Sequence, residues 1–305
     1  MATRHPLAHA FVPTAILALV WGCNWPILKL SIAEIAPLTF RALTLPFAAA
    51  GMFLVARAAR DGVSVPREWW WRVAVLAFFN VACWNGVVLF GLQQLPAGRS
   101  VILAYTMPIW ATLIGMALLH EPLNRRKAIG LGLGTLGMLV LLGNDIRHLQ
   151  AAPVGALFTL AAAILWAVGT VLLRKWKPPI AQNTLSGWMM FLGWMPLAVA
   201  APFFDPRPAS YLAHLSAGSW FAIAYNIVLA GTVAHWAWFR LARTLPVAIS
   251  SLASLPVPVV GVFAGMLVLG ERPGAAEFVA LGLVLASLVA MLFQPTGTVK
   301  RVEPE

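Results

Sequence analysis

The sequence predicts an all-α integral membrane protein: ten transmembrane helices, arranged as two five-helix inverted repeats, with both termini in the cytoplasm. Three observations lead there. Of the 305 residues, 61% are hydrophobic and only 10% charged, whereas soluble domains carry about a quarter charged residues. So much apolar surface requires lipid as its solvent. The chain also matches itself at a shift of about 150 residues. Finally, the basic residues gather in alternate connections between the apolar spans.

At ~20 apolar residues per crossing, the spans fall at 12–32, 37–56, 69–92, 97–119, 127–144, 152–173, 184–203, 218–240, 247–269 and 275–293. The first is too long, and lacks the small-residue site, to be a cleaved signal, so it is expected to stay as a helix. Turn chemistry at Arg60-Asp61-Gly62, Pro178-Pro179 and Asp205-Pro206-Arg207-Pro208 separates several spans. The connections leave no room for a soluble domain. Cys23 and Cys83 lie within spans, so no disulfide framework is implied.

Orientation follows from Lys and Arg. One side collects Arg4; Arg57, Arg60, Arg67 and Arg72; Arg125, Arg126 and Lys127; Arg174, Lys175 and Lys177; Arg240 and Arg243; Lys300 and Arg301. The other side holds only Lys29, Arg99, Arg147, Arg207 and Arg272, while Arg41 lies within a span. The net charge of +11 therefore reads as a positive-inside bias, not as a nucleic-acid-binding face.

The repeat is densest from Leu95 to Leu142. Leu95-Pro96 falls on Leu245-Pro246, Ser100 on Ser250, Pro108 on Pro258, Gly115-Met116 on Gly265-Met266, and Glu121 on Glu271. Leu131-Gly132-Leu133 falls on Leu281-Gly282-Leu283 without a gap, and Trp21 to Lys29 matches Trp166 to Arg174 at a shift of about 145. With five spans per half, the second copy enters the membrane upside down; the halves are 1–147 and 148–305. Each copy carries a proline within a span, which frees the carbonyl one turn back, at Ala104 and Ser254. Interrupted helices at matching places point to the central site of a transporter.

With both copies in view, the chain resembles the drug/metabolite transporter superfamily, specifically its EamA-type ten-helix exporters. The residues carrying the likeness are Trp21-Gly22-x-Asn24-Trp25 with Lys29, Pro37 with Phe40-Arg41, and Glu121 followed by Gly130 and Gly137. In the second half they are Trp166, Arg174-Lys175, Glu271 and Gly282. Within the family, Tyr105 just before Pro108 and the tryptophan of the sixth span are most like the bacterial aromatic amino-acid exporters. The resemblance implies a multi-pass protein of the bacterial inner membrane that works by alternating access around a cavity lined by both halves. The fifth and tenth helices are then peripheral.

Other motifs are weighed against plainer readings. Gly132-Leu-Gly-Thr-Leu-Gly137 matches a dinucleotide fingerprint in form, but it lies inside an apolar helix; close helix packing, with a matching stripe at Ala280, Gly282, Ala286 and Ala290, is the better reading. Trp69, Trp70, Trp71, Trp176 and Trp220 fit an interfacial belt. Trp21 and Trp166 stand apart as deep symmetry mates whose faces suit aromatic side chains or an ammonium group. Polar residues deep in lipid are functional candidates. The expected substrate-binding set is Trp21, Asn24, Asn80, Trp84, Asn85, Tyr105, Pro108, Trp166, Tyr225, His235, Ser254 and Pro258. In it the freed carbonyls and tryptophan faces meet the ammonium and side chain, while Asn80, Asn85 and Tyr105 meet the carboxylate. Lys29, Arg41 and Arg99 sit near outer ends, where snorkelling or carbonyl capping is expected; Arg41 is the alternative carboxylate partner.

The function expected is export of small neutral metabolites, foremost aromatic and other hydrophobic amino acids. A broad drug or nucleoside exporter on the same fold is the alternative, and a membrane-embedded lipid-modifying enzyme a remote one. No catalytic residue, cofactor or metal site is expected: there is no Walker sequence, no Asp-rich motif and no His/Cys ligand spacing. The partners are the substrate and the bilayer, with no nucleic acid, and the chain is a monomer or weak homodimer. No carboxylate stands at mid-membrane. His235 is the only deep group with an ordinary pKa near neutrality, about 6.5, and without an acidic partner it is not expected to carry a coupling proton. Movement is therefore expected to be facilitative.

Overall fold

The computed structural model describes residues 6–147, 152–205, 207–244 and 255–292. They form helices and the connections between them, with no strand among them. In chain order the helical segments are α1 (Pro6–Glu34), α2 (Pro37–Ala58), α3 (Arg67–Gln94), α4 (Ala97–Leu119), α5 (Arg125–Arg147) and α6 (Ala152–Trp176). They continue with α7 (Gln182–Phe204), α8 (217–244), α9 (Pro256–Leu269) and α10 (Ala275–Leu292). Eight are long and apolar enough to cross a membrane. The described parts of α9 and α10 are shorter; residues 245–254, which would open the ninth span, and the terminal stretches 1–5 and 293–305 lie outside the described residues.

Local chemistry sets the ends. Pro37 starts α2 at its first turn, where the missing N–H costs nothing. Ser216 caps α8 by accepting the Ser219 N–H at 3.2 Å. α4 and α9 stop at residues in the left-handed region, His120 (φ 54°) and Gly270 (φ 65°), which are mates in the repeat. α4 also breaks at Tyr105–Thr106. Since Pro108 offers no N–H, the chain tightens there, Ile109 N–H bonding to Thr106 O at 2.9 Å and Thr106 N–H to Leu103 O at 3.1 Å. Wide π-turns occur within α3 at Phe78–Cys83 and within α8 at Tyr225–Val233. A shift of 150 lays the first inside the second, and no residue type in the sequence announces either.

The molecule is apolar outside as well as inside. Leu267 is 86% and Phe203 82% exposed, with other large aliphatic and aromatic side chains around the perimeter. Such a surface belongs in a bilayer. Trp71 and Trp220 lie near helix ends and are exposed; the Arg72 guanidinium sits over both the Trp69 and Trp71 rings, at 4.7 and 4.9 Å.

The helix pairings recur when each label advances by five. α1 packs on α9 as α6 packs on α4; α3 packs on α6 as α8 packs on α1; α2 pairs with α7 and α5 with α10. The α5–α10 seam is built on small residues, among them Gly134, Gly137 and Ala280 of the expected stripes, with Gly130 one turn earlier. A Cβ on Gly130 would come within 2.5 Å of Met291, and one on Gly134 within 2.1 Å of Ile109 and 2.8 Å of Ser287 Oγ. Ser287 donates to Gly130 O at 2.6 Å across the seam. Gly132 and Gly282 meet nothing and point away. The run of glycines signalled close packing, and the members that face a neighbour, Gly130, Gly134 and Gly137, follow the three- and four-residue helical spacing.

Outside the membrane spans, Asp205 ties the end of α7 to its surroundings. It accepts from Arg207 Nε at 2.7 Å, the Tyr211 hydroxyl at 2.7 Å and the Thr39 hydroxyl at 2.9 Å. The Arg207 bond, helped by the two hydroxyls, holds its carboxyl well below the ordinary range.

Candidate functional site

The seam between α1 and α8 carries the first cluster. The π-turn of α8 leaves the Ala230 carbonyl in reach of two side chains: Trp21 Nε1–H donates to it at 3.2 Å and His235 Nδ1 lies 2.9 Å away. The Trp21 and His235 rings meet edge to face at 5.3 Å between centroids, with Trp238 behind at 6.3 Å. The Tyr225 hydroxyl donates to Val20 O at 2.8 Å. One turn along both helices, Asn226 Nδ2 donates to Asn24 Oδ1 at 3.0 Å, and Asn226 Oδ1 accepts from Arg41 Nη1 at 3.1 Å.

The second cluster repeats the arrangement between α3 and α6. Trp166, the mate of Trp21, lies 6.3 Å from Trp84, which neighbours Asn85, the mate of His235. The Asn85 amide is used locally, donating to Val81 O at 2.9 Å. Asn80 packs where α6 has Gly169, since a Cβ there would come within 2.1 Å of Asn80 Oδ1; that oxygen is buried and accepts no hydrogen bond. Tyr105, at the break in α4, packs with Trp84 against the main core. Pro108 is half-buried and Pro258 buried. Ala104 is fully buried in that core, so its carbonyl is not open to a ligand in this structure. Ser254 lies outside the described residues.

Apart from Pro258, on α9, and Ser254, the candidate residues thus lie in two aromatic and amide clusters, on α1/α8 and on α3/α4/α6. Sequence reasoning placed the tryptophans through the repeat. It gave Asn226 and Arg41 less weight than the amide chain linking α1, α8 and α2 warrants, although both are polar residues inside apolar spans.

The duplicated glutamates stand just past the ends of α4 and α9, each with its N–H on a glycine carbonyl, Gly115 O at 3.4 Å and Gly265 O at 3.3 Å. Glu271 accepts from the backbone N–H groups of Ala97 (2.5 Å) and Gly98 (3.0 Å), capping the N-terminus of α4 from another helix pair. On the other side of that corner, Lys29 Nζ donates to Leu92 O at 2.8 Å and to Leu95 O, closing the end of α3 as capping predicts. Arg99 pairs with Glu277 nearby. The residues that would match Ala97 and Gly98 in the repeat, 247 and 248, lie outside the described residues; Glu121 binds Lys127 Nζ at 3.0 Å and Arg174. Burial opposes its ionisation, but those two cations outweigh it and lower its pKa. A hollow of about 690 Å³, lined by Leu119, Glu121, Arg174, Lys175 and Lys177, opens at that end. Among the described residues no group of His, Cys, Asp and Glu is placed to hold a metal ion.

Lipid-facing perimeter, paired clusters and repeated pairings fit a membrane carrier, and comparison with known proteins decides the family. The EamA-like transporter family matches residues 11–143 and again 153–293. The chain belongs to the EamA-like transporter family. Among its relatives is "Uncharacterized transporter YoaV" of Bacillus subtilis, 27% identical, covering 93% of this chain and 96% of that one. "Probable amino-acid metabolite efflux pump" of Escherichia coli is 24% identical over 91% and 93% of the two chains. Protein PecM of Dickeya dadantii is 25% identical over 78% and 80%. A solved crystal structure at 20% identity superposes with a TM-score of 0.66, covering 93% of this chain and 98% of that one. It shares the EamA-like chain's fold.

Proposed function

We propose that this EamA-like transporter exports small neutral metabolites, foremost aromatic and other hydrophobic amino acids, across the bacterial inner membrane. In this reading ten spans form two inverted repeats, 1–147 and 148–305, that exchange access to a site between them. The observation that carries the substrate class is the paired aromatic clusters, Trp21 with His235 and Trp166 with Trp84, each beside amide side chains. A flat aromatic face suits a flat side chain or an ammonium group, and the amides suit the polar end of an amino acid. The amino-acid metabolite efflux pump among the relatives adds support. Without a mid-membrane carboxylate, movement runs down the substrate gradient. A broad drug or nucleoside exporter on this fold is the alternative.

The site is tested by substitution. Tyr105→Ala and Trp166→Ala each remove a stacking partner worth about 1 kcal/mol, so half-saturation for phenylalanine should rise severalfold with membrane abundance nearly intact. Trp70→Ala, which loses an edge contact to Trp188 near the helix ends, should transport normally. The reverse pattern places the site elsewhere.

Topology is tested separately. Reporter tags at both termini should score cytoplasmic and one in loop 205–208 periplasmic; a periplasmic C-terminus removes the ten-span inverted arrangement.

A further inference from the structure

Arg41, the fifth residue of α2, is 7% exposed. Its contacts are a hydrogen bond from Nη1 to Asn226 Oδ1 at 3.1 Å and the neighbouring Phe40 ring, 5.5 Å from Cζ. Nε–H is buried and has no hydrogen-bond partner. A guanidinium carries several donors in a planar fork, and a buried cation without a counter-charge is costly unless something supplies one. The protein does not supply it among the acidic residues whose side chains are described. Glu34 and Asp205 are committed to the neighbouring outer loop, Glu271 and Glu277 to the start of α4 and to Arg99, and Asp61 and Glu121 to the opposite end. Glu68 is exposed, at the far end of α2 and α3 from Arg41.

The other half of the repeat holds no arginine at the matching place. α2 and α7 begin at Pro37 and Gln182, and the same offset of about 145 lays Arg41 on Ser186, which is equally buried. What distinguishes Arg41 is its place beside the aromatic cluster. Its partner Asn226 binds Asn24, three residues on from Trp21; Ala230, which Trp21 and His235 share, lies four residues on from Asn226. The guanidinium layer and the aromatic layer are therefore one helical turn apart on one seam, ~5.4 Å. An aromatic α-amino acid separates its ring from its carboxylate by about that distance.

We propose that Arg41 is the carboxylate-binding residue of the transport site, its unused N–H fork receiving the substrate's α-carboxylate. The inference rests on the amino-acid reading of this site and sharpens it: the substrate must carry a carboxylate, not only an aromatic ring.

The test is counterflow in proteoliposomes with matched pairs, phenylalanine against phenylalaninamide and leucine against leucinamide. Wild type should favour each acid over its amide by about tenfold or more. Arg41→Gln should abolish that preference, transport of the acids falling about tenfold further than that of the amides. Where Arg41→Gln does not reach the membrane, Arg41→Lys, which keeps the charge but not the fork, should raise half-saturation severalfold for acids only. Undiminished preference in Arg41→Gln, or unchanged acid affinity in Arg41→Lys, overturns the proposal. So does a wild type that moves phenylalanine and its amide alike, although aromatic transport then stands. Leucine carried in place of phenylalanine, with the preference lost in Arg41→Gln, upholds Arg41 and defeats the aromatic reading.

Discussion

Glu271→Gln is expected to loosen the α3–α4 corner and cut transport sharply. In the structure the Glu271 carboxylate accepts two backbone N–H groups at the start of α4, while Lys29 closes the adjoining end of α3. Bonds to an ionised acceptor contribute about 1.5–3 kcal/mol each, and the negative charge also faces the positive end of a helix. An amide keeps one acceptor, turns donors towards the second N–H and removes the charge. Ser100, fully buried just inside this corner, reports the change. In a background lacking Cys23 and Cys83, Ser100→Cys should react slowly with a membrane-impermeant maleimide. Adding Glu271→Gln should accelerate that reaction by about tenfold or more, the factor that 1.4 kcal/mol gives. An unchanged labelling rate shows that the cap does not hold this side closed.

Gly134→Leu should be the most damaging single change at the periphery, and Gly132→Leu nearly silent. Gly134 faces Ile109 and Ser287 so closely that even a Cβ has no room, whereas Gly132 faces open space. Overpacking costs about 1–3 kcal/mol. Forcing α5 from α10 also breaks the Ser287–Gly130 bond. Membrane abundance and thermal stability in detergent should fall clearly for Gly134→Leu alone. Equal behaviour of the two variants means that the seam is not as described.

These outcomes mark what was legible in the sequence. Composition declared the solvent, and the repeat fixed which positions correspond, so Trp21 and Trp166 were paired with each other before any geometry. Pro108 announced the break in α4 because proline removes a donor from the helix. The repeat equally paired Glu121 with Glu271, yet sequence identity cannot name the groups that meet either one, the Ala97 and Gly98 N–H groups at Glu271 or Lys127 and Arg174 at Glu121; those depend on which elements approach each end. The π-turns carry no residue signature, so the reach of Trp21 and His235 to one carbonyl was invisible. A stripe of Gly and Ala shows that helices approach closely, but which glycine faces the partner depends on the rotation of α5, and Gly132 turned away. Arg41 was underweighted for a related reason. A long cationic side chain near a span end ordinarily snorkels to water, and only the packed structure shows it turned inward to Asn226.

The central claim, export of aromatic amino acids through paired aromatic clusters, is tested most directly by counterflow of labelled phenylalanine into proteoliposomes of the purified protein. The account predicts saturable uptake into vesicles preloaded with phenylalanine, competed by tryptophan and tyrosine, weakly by small polar amino acids, and unchanged by an imposed proton gradient. Vesicles that move nucleosides or cationic dyes but no aromatic amino acid would contradict the substrate. Net accumulation of phenylalanine that collapses with a protonophore would contradict the facilitative mechanism.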